Sequence, residues 1–445
     1  MKKILIKNAQ LVNEGEQYFA DVLIKGQFIE KIERQGISMP ADQVIDAEGS
    51  YLIPGAIDDQ VHFREPGLVH KADIQSESRA AIAGGVTSFM EMPNTYPPAT
   101  TLELLEEKYQ RAAQVSPANY SFYLGATAHN IEQILSVNDQ TVCGVKIFMG
   151  SSTGDMLVDD PKAIESIFSQ CGSLIATHCE DDHIIAANAE RFKKEFGENI
   201  PFKYHPLIRS EEACYASSSF AVNLAKKYGT RLHVLHISTA KELELFTNDI
   251  PLLQKKITSE ACVHHLWFND SDYEKLGSLI KWNPAIKSQS DAQAILQAVI
   301  DNRIDVIATD HAPHTLEEKS RPYFQCPSGG PLIQHSYLAM FDMVKQGKIS
   351  LEKVVEKMAH HVAMLYEIDR RGFIREGFYA DLAILNPNKT TLVNKENLYY
   401  KCNWSPFEGH EFQAQISHTF VNGNLVFANQ KIQTEEKGMR LKFNR

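Results

Sequence analysis

The chain has 445 residues, 43% of them hydrophobic and 23% charged, with a formal net charge of −11. That length calls for one large domain plus a smaller one, with enough apolar residues to bury a sizeable core. The acidic balance excludes a non-specific nucleic-acid or anionic-membrane surface, and no run of about 18 apolar residues exists to span a bilayer.

Residues 1–53 alternate apolar and polar residues in ILIKNAQLV, DVLIKGQFIEKI and QVIDAEGSYLI, which predicts short strands split by Gly, Asp and Asn turns. The opening MKKILIKNAQLVNEG is a strand rather than a signal peptide, since it has no long apolar stretch and no small-residue cleavage site. From GAIDDQVHF onward the texture changes. Short runs at GAIDDQVHF, GVTSFMEM, NYSFYLGA, CGVKIFM, SLIATHC, RLHVLHI, KITSEACV and RIDVIATD alternate with helically spaced segments. Those segments include TLELLEEKYQRAA, EEACYASSSFAVNLAKKYG and DAQAILQAVID. Eight strand–helix units over roughly 260 residues is the size of a (β/α)8 TIM-type barrel, so the expected fold class is α/β. An open doubly wound sheet is the alternative, but the chain has no G-x-G-x-x-G turn. GSSTGD at 150–155 lacks the Lys-Ser/Thr of a P-loop and is predicted to be a loop after a strand.

Near the end, ADLAILN is strand-like, and HTFVNGNLVF places Asn422-Gly423 between two β runs, a strong hairpin signal. A small β-sandwich domain built from 1–53 and 375–430, flanking a barrel of 54–374, is the expected organisation. Residues 431–445 remain as a C-terminal tail, either solvated or a last edge element. The seven cysteines are odd in number and form no C-x-x-C pair, so they read as reduced, mostly buried thiols of a cytoplasmic protein. Cys179, next to His178, faces the other way on a strand and is assigned to packing. A homo-oligomer is compatible with this sequence, which fixes no oligomeric state.

Five residues of metal-binding type close or interrupt the apolar runs: His62, Lys146, His178, His236 and Asp310. A parallel barrel aims its strand ends at one face, where groups distant in sequence converge. Nitrogen and carboxylate ligands gathered this way suit a divalent metal such as zinc, which makes a bound water nucleophilic at neutral pH. Lys146 is unusual, because a lysine inside a buried strand loses hydration. It is either a rim lysine that snorkels outward or a lysine carbamylated by carbon dioxide, whose two oxygens bridge two metal ions. Asp310 ends the eighth run, where a carboxylate can bind metal and ferry a proton. With seventeen histidines in the chain, a single one says little. His70, His183, His205, His360 and His361 read as surface or satisfied core residues. His233 reads as the structural partner of His236 on the opposite strand face, and His264 and His265 carry no assigned role.

VHFREPG, MPN, VKIFMGSSTG, HCED, HVLHIS, WNPAIKS and TDHAPH, in this order, resemble the dihydroorotases of the amidohydrolase superfamily. The resemblance runs from about residue 50 to 410. It implies reversible zinc-dependent hydrolysis of the cyclic amide of dihydroorotate to N-carbamoyl-aspartate, in pyrimidine biosynthesis. It also implies that His62 and Asp310 bind the more exposed metal and that Lys146, as the carbamate (a carboxylysine), bridges to a second held by His178 and His236. Arg64 would anchor the substrate carboxylate, a role suited to a guanidinium fork. Asn94, Asn283 and His314 would hydrogen-bond the substrate, and His311 would support them. The alternative reading of Arg64 is a surface salt bridge to Glu65, and that of the asparagines is turn chemistry before a proline or after a strand.

The chain departs from the family at Gln60, where the pattern has the first histidine of His-x-His. A neutral amide oxygen is a poor zinc ligand. One firmly bound zinc and a weak or absent second are therefore expected. Two other readings stand beside this one. One is a cyclic amidohydrolase for a hydantoin, dihydropyrimidine or allantoin, whose rings give Arg64 no carboxylate. The other is an inactive homologue kept as a structural partner.

Overall fold

Residues 1–150, 156–433 and 436–445 are described by the computed structural model of the chain. Of the predicted loop Gly150–Asp155, all but Gly150 lies outside the described residues. The N-terminal alternation folds into β1 (Lys3–Asn13), β2 (Glu16–Lys25), β3 (Phe28–Glu33), β4 (Gln43–Asp46) and β5 (Tyr51–Pro54). The barrel strands are β6 (Ala56–Val61), β7 (Val86–Glu91), β8 (Asn119–Phe122), β9 (Leu124–Gly125), β10 (Val145–Phe148), β11 (Ile175–His178), β12 (Leu232–Val234), β13 (Ile257–Cys262) and β14 (Val306–Ala308).

β6, β7 and β8 pair in parallel, as do β9 through β14. β8 and β9 are separated only by Tyr123, so the two sheets share one continuous strand. At the far seam Val61 bridges His311, and the His62 amide donates to the His311 carbonyl at 2.7 Å. The eight strands thus close into a ring. Helices cover it, and local signals start them. Asp73 and Ser76 form a capping box for Ile74–Ala83, Thr101 caps Leu102–Val115, and Ser288 caps Gln289–Ile300. No helix among the described residues is long and apolar enough to cross a membrane.

β15 (Leu382–Asn386), β18 (Gln415–Val421), β19 (Asn424–Ala428) and β20 (Lys431–Ile432) return to the N-terminal strands in one sheet, ordered β20-β19-β18-β15-β5-β1-β2-β3 with β4 on β1. The short pair β16 (Thr391–Leu392) and β17 (Glu411–Phe412) stands apart. Alternation decides which core each residue joins. Leu52, Leu382 and Ile384 enter a core private to this sheet, while Ile53, Ala383 and Leu385 pack with the barrel's outer helices. At the hairpin, Asn422 and Gly423 both have positive φ (50° and 74°). A Cβ on Gly423 would sit 2.0 Å from the Gly26 carbonyl oxygen, so glycine is required there.

The C-terminal segment is docked, not solvated. Met439 and Leu441 bond the free edge of β8 at Tyr120, which β10 leaves unpaired because it meets this strand only at β9. Leu441 and Phe443 then enter the barrel-interior cluster with Ile57, Met90, Tyr123, Ala176, Val306 and Tyr366. The tail therefore fills a gap in the wall and closes the floor. Phe443→Ala is expected to destabilise the fold by about 3 kcal/mol, as for other buried phenylalanines, while leaving metal content unchanged. Denaturant midpoints with elemental analysis check this; an unshifted midpoint would mean that the tail is not part of the core.

Candidate active site at the strand ends

A cavity of about 350 Å³ opens at the C-terminal ends of the strands, lined by Gln60, His62, Arg64, Asn94, Lys146, His178, His236, Asn283, Asp310 and His314, with Phe148, Trp282 and Gly329 completing its walls. Every residue singled out for the site from sequence lies on it. His178 ends β11 and Lys146 lies within β10. His236 and Asp310 follow their strands by two residues, with positive φ of 39° and 47°. Arg64 is left-handed too, at 69°. Such backbone costs about 1–3 kcal/mol per residue and persists where surrounding contacts fix it. At His236 one of those contacts is the amide's bond to Glu260 Oε1, at 3.0 Å. This kink also corrects the expectation for His233. Strict alternation would put it opposite His236, but the broken strand turns both into the barrel, where His233 lies near Asp59 and Glu260.

The imidazoles are held from behind. His62 Nδ1 lies 2.7 Å from Asn94 Oδ1, an acceptor, so Nδ1 carries the hydrogen and Nε2 faces Asp310 Oδ1 at 3.2 Å. His178 Nε2 is 2.8 Å from Glu180 Oε2, and its Nδ1 is 2.9 Å from His236 Nε2. Arg209 in turn pairs with Glu180. An outer nitrogen bonded to an oxygen acceptor is how metal-ligating histidines are oriented. Burial pushes His62 and His236 well below the ordinary histidine range, so both are neutral and able to offer lone pairs. Lys146 is 1% exposed, and burial pushes its ammonium down to about 7 against the pull of Asp310 and Glu260. Asp310 is raised to about 7, again by burial, with His178 and Lys146 opposing. The donor chemistry fits a divalent cation: neutral imidazole nitrogens and a carboxylate face one another.

Gln60 sits differently from the histidine expected there. Its Nε2 donates to Asp310 Oδ1 at 3.2 Å, so the amide tethers a neighbour. Arg64 does not pair with Glu65, which binds Arg111 instead. Its Nε donates to the Pro313 carbonyl at 3.1 Å, its Nη2 lies 3.0 Å from His314 Nε2, and among the described residues no carboxylate is within ion-pair distance. His314 is fixed by Lys71 on Nδ1 and by the Ser328 carbonyl, and Lys71 pairs with Glu318. Asn283 Oδ1 is buried with no hydrogen-bond partner. His311 binds Glu77 and the Leu332 amide outside the cavity, in a supporting position.

Sequence reasoning missed Glu180, Trp282 and the Pro327–Gly329 wall. Glu180 had a signal, since it lies two residues beyond His178, and so did Trp282, next to Asn283 in WNPAIKS; the wall had none. A Cβ on Gly329, where φ is 124°, would meet the Ala312 carbonyl oxygen at 2.5 Å. His264 stacks on Trp282 with ring centroids 4.6 Å apart, and His265 donates to the Pro284 carbonyl at 3.1 Å, both behind the cavity wall.

Burial depresses His265 to about 3. Its folded value lies below the unfolded one, so the unfolded chain takes the proton first and stability falls as pH drops below about 6.5. Relative to His265→Gln, the native chain should lose about 1.4 kcal/mol per pH unit between about 6 and 4. Parallel pH profiles for the two chains would refute this.

Comparison with known proteins agrees with the geometry. The amidohydrolase family model matches residues 51–426. A dihydroorotase of Halobacterium salinarum is 31% identical over 402 residues, covering 89% of this chain and 92% of that protein. An allantoinase of Bacillus velezensis is 29% identical over 435 residues, covering 95% and 94%. The L-hydantoinase (dihydropyrimidinase) of Arthrobacter aurescens superposes with a TM-score of 0.93 at 27% identity, over 99% of this chain and 100% of that one. This barrel, with its ring of imidazole, lysine and carboxylate at the strand ends, belongs to the amidohydrolase family, and the protein is a hydrolase.

Proposed function

We propose that the chain is a zinc-dependent dihydroorotase, opening the ring amide of dihydroorotate to N-carbamoyl-aspartate and closing it in reverse. The relatives named dihydroorotase, allantoinase and hydantoinase support a cyclic amide as substrate. The observation that carries the finer reading is Arg64. Its guanidinium is buried on the cavity wall with no carboxylate partner among the described residues, and burial lowers it to about 10. An unpaired buried cation is expensive unless a ligand's anion completes it. Dihydroorotate brings a carboxylate, whereas hydantoin, dihydrouracil and allantoin rings do not.

In this reading His62, His178, His236, Asp310 and Lys146 hold the metal. Carbon dioxide adds to the neutral Nζ of Lys146, forming an N–C bond and releasing a proton, and the carbamate oxygens become ligands. Zinc there supplies Lewis acidity and a nucleophilic water at neutral pH. The chain's own groups do the rest. Arg64 grips the substrate carboxylate with two parallel N–H···O bonds, which fixes the ring's orientation. Asn283 Oδ1, unpartnered, accepts a ring N–H, and His314, locked by Lys71 and Ser328, holds the carboxylate side. Asp310 takes the proton of the attacking water on a carboxylate oxygen and returns it to the departing ring nitrogen. Trp282 and Phe148 exclude bulk water.

Arg64→Met should lower kcat/KM for dihydroorotate about 10- to 100-fold, the worth of a charge-assisted contact, and leave any trace turnover of dihydrouracil unchanged. Ultraviolet assays on both substrates check this. Equal losses would make Arg64 structural, and a native preference for dihydrouracil or hydantoin would move the protein to another cyclic amide.

Gln60 bears on the metal. With its amide nitrogen turned to Asp310, the His62 side of the cavity has one imidazole fewer than the family pattern, and its metal should be the weaker. Gln60→His is expected to raise zinc retained after dialysis by up to one ion per chain, read by elemental analysis. Unchanged zinc content would show that the position is no ligand site.

A further inference from the structure

Beneath the cavity the barrel interior holds a second cluster that the reaction above does not use. Asp59 of β6, His233 of β12 and Glu260 of β13 are all 0% exposed. β6 and β12 are not neighbours in the ring, so the contact crosses the interior. His233 Nε2 lies 3.3 Å from Asp59 Oδ2 and 3.8 Å from Glu260 Oε2, and one ligand atom from each of the three falls within 4.8 Å of the others.

The outward atoms of the cluster are occupied. Thr258 gives its hydroxyl hydrogen to the Leu232 carbonyl, so its oxygen accepts from His233 Nδ1 at 2.8 Å. The imidazole is thereby fixed with Nε2 inward. Asp59 Oδ2 accepts from the Tyr366 hydroxyl at 3.0 Å. Glu260 Oε1 accepts from the His236 amide and from Cys262 Sγ. What remains is one atom from each residue: Asp59 Oδ1, His233 Nε2 and Glu260 Oε2 are buried with no hydrogen-bond partner among the described residues.

We propose that Asp59, His233 and Glu260 form a structural site for a divalent metal ion of the zinc type, separate from the ligands in the cavity. Distance, charge and orientation agree. A tetrahedral ion with bonds of about 2.0–2.2 Å sets its ligands about 3.3–3.6 Å apart, whereas a charge-assisted N–H···O bond draws its atoms to about 2.7–2.9 Å. At 3.3 Å to the Asp59 carboxylate and 3.8 Å to Glu260 Oε2, the His233 Nε2 separations lie beyond the second range and nearer the first. Two carboxylates around a divalent cation are neutral; around an imidazolium they leave a negative charge in a dry interior. The Thr258 bond on the outer nitrogen is the support a ligating histidine has. In the metal-free chain burial works against an imidazolium, but Asp59 and Glu260 outweigh it and hold the proton up to about 9. The metal replaces that proton. The ion would tie β6, β12 and β13 together and fix Glu260, which holds the kinked backbone at His236.

The test uses the full chain, produced with added zinc. Anomalous diffraction at the zinc edge is expected to show a peak between Asp59, His233 and Glu260, apart from any in the cavity. A His178→Ala/His236→Ala variant should keep one zinc per chain by elemental analysis, and adding His233→Gln should remove it. No peak at the cluster, or a zinc-free cavity variant, would overturn the proposal and leave His233 as an imidazolium clamp. If the variants do not fold, the anomalous map of the native chain decides alone.

Discussion

The His62 amide reaches the His311 carbonyl at 2.7 Å, next to the Val61–His311 bridge, and this main-chain contact joins the first barrel strand to the last. Everything at the cavity follows from that closure. It sets His62 and Arg64 against Asp310 and His314, pairs that lie about 250 residues apart in sequence, and it makes one enclosed face out of eight strand ends. An open sheet from the same strands would leave His62 and Asp310 at opposite edges. His62 Nε2 and Asp310 Oδ1 would then not stand 3.2 Å apart.

Burial is the second constraint, and it shapes the chemistry. The same dry surroundings that lower the Lys146 ammonium and raise the Asp310 carboxyl keep His62 and His236 neutral. Groups that would be plain charges on a surface become lone pairs and proton carriers. The cavity also leaves groups unsatisfied at chosen places: among the described residues the Arg64 guanidinium has no carboxylate, and Asn283 Oδ1 has no donor. Elsewhere, buried charges are tied off. Lys319 Nζ donates to the carbonyls of Lys281, Pro327 and Gly329, and so pins the wall segment that carries Ser328 and Gly329.

Around this centre the small sheet and the tail play mechanical parts. The sheet packs one face on the barrel's outer helices, and the alternation of β5 and β15 divides their side chains between two cores. The tail seals the opposite end. With Leu441 and Phe443 filling the floor, the interior is closed to solvent from the floor up to the level of Asp59, His233 and Glu260.

The sequence by itself determined the eight barrel strands, the alternation with helices, the hairpin at Asn422-Gly423 and the membership of the cavity. The strands and hairpin were legible from local periodicity and the five metal-type residues from their place in apolar runs, whereas Arg64, Asn94, Asn283 and His314 were named through the family resemblance. It put His233 on the wrong strand face and left two things undecided. His233 points into the barrel because a positive φ at His236 breaks the period of two, and backbone strain leaves no mark in side-chain spacing. Glu180 and Asn94 are decided by which histidine nitrogen each meets, a matter of ångströms between separate strands. The tail's fate depended on an unpaired edge of β8, which exists only because β10 meets β9 and not β8. In each case a contact between distant segments outweighed a local preference, and tertiary structure alone supplies such contacts.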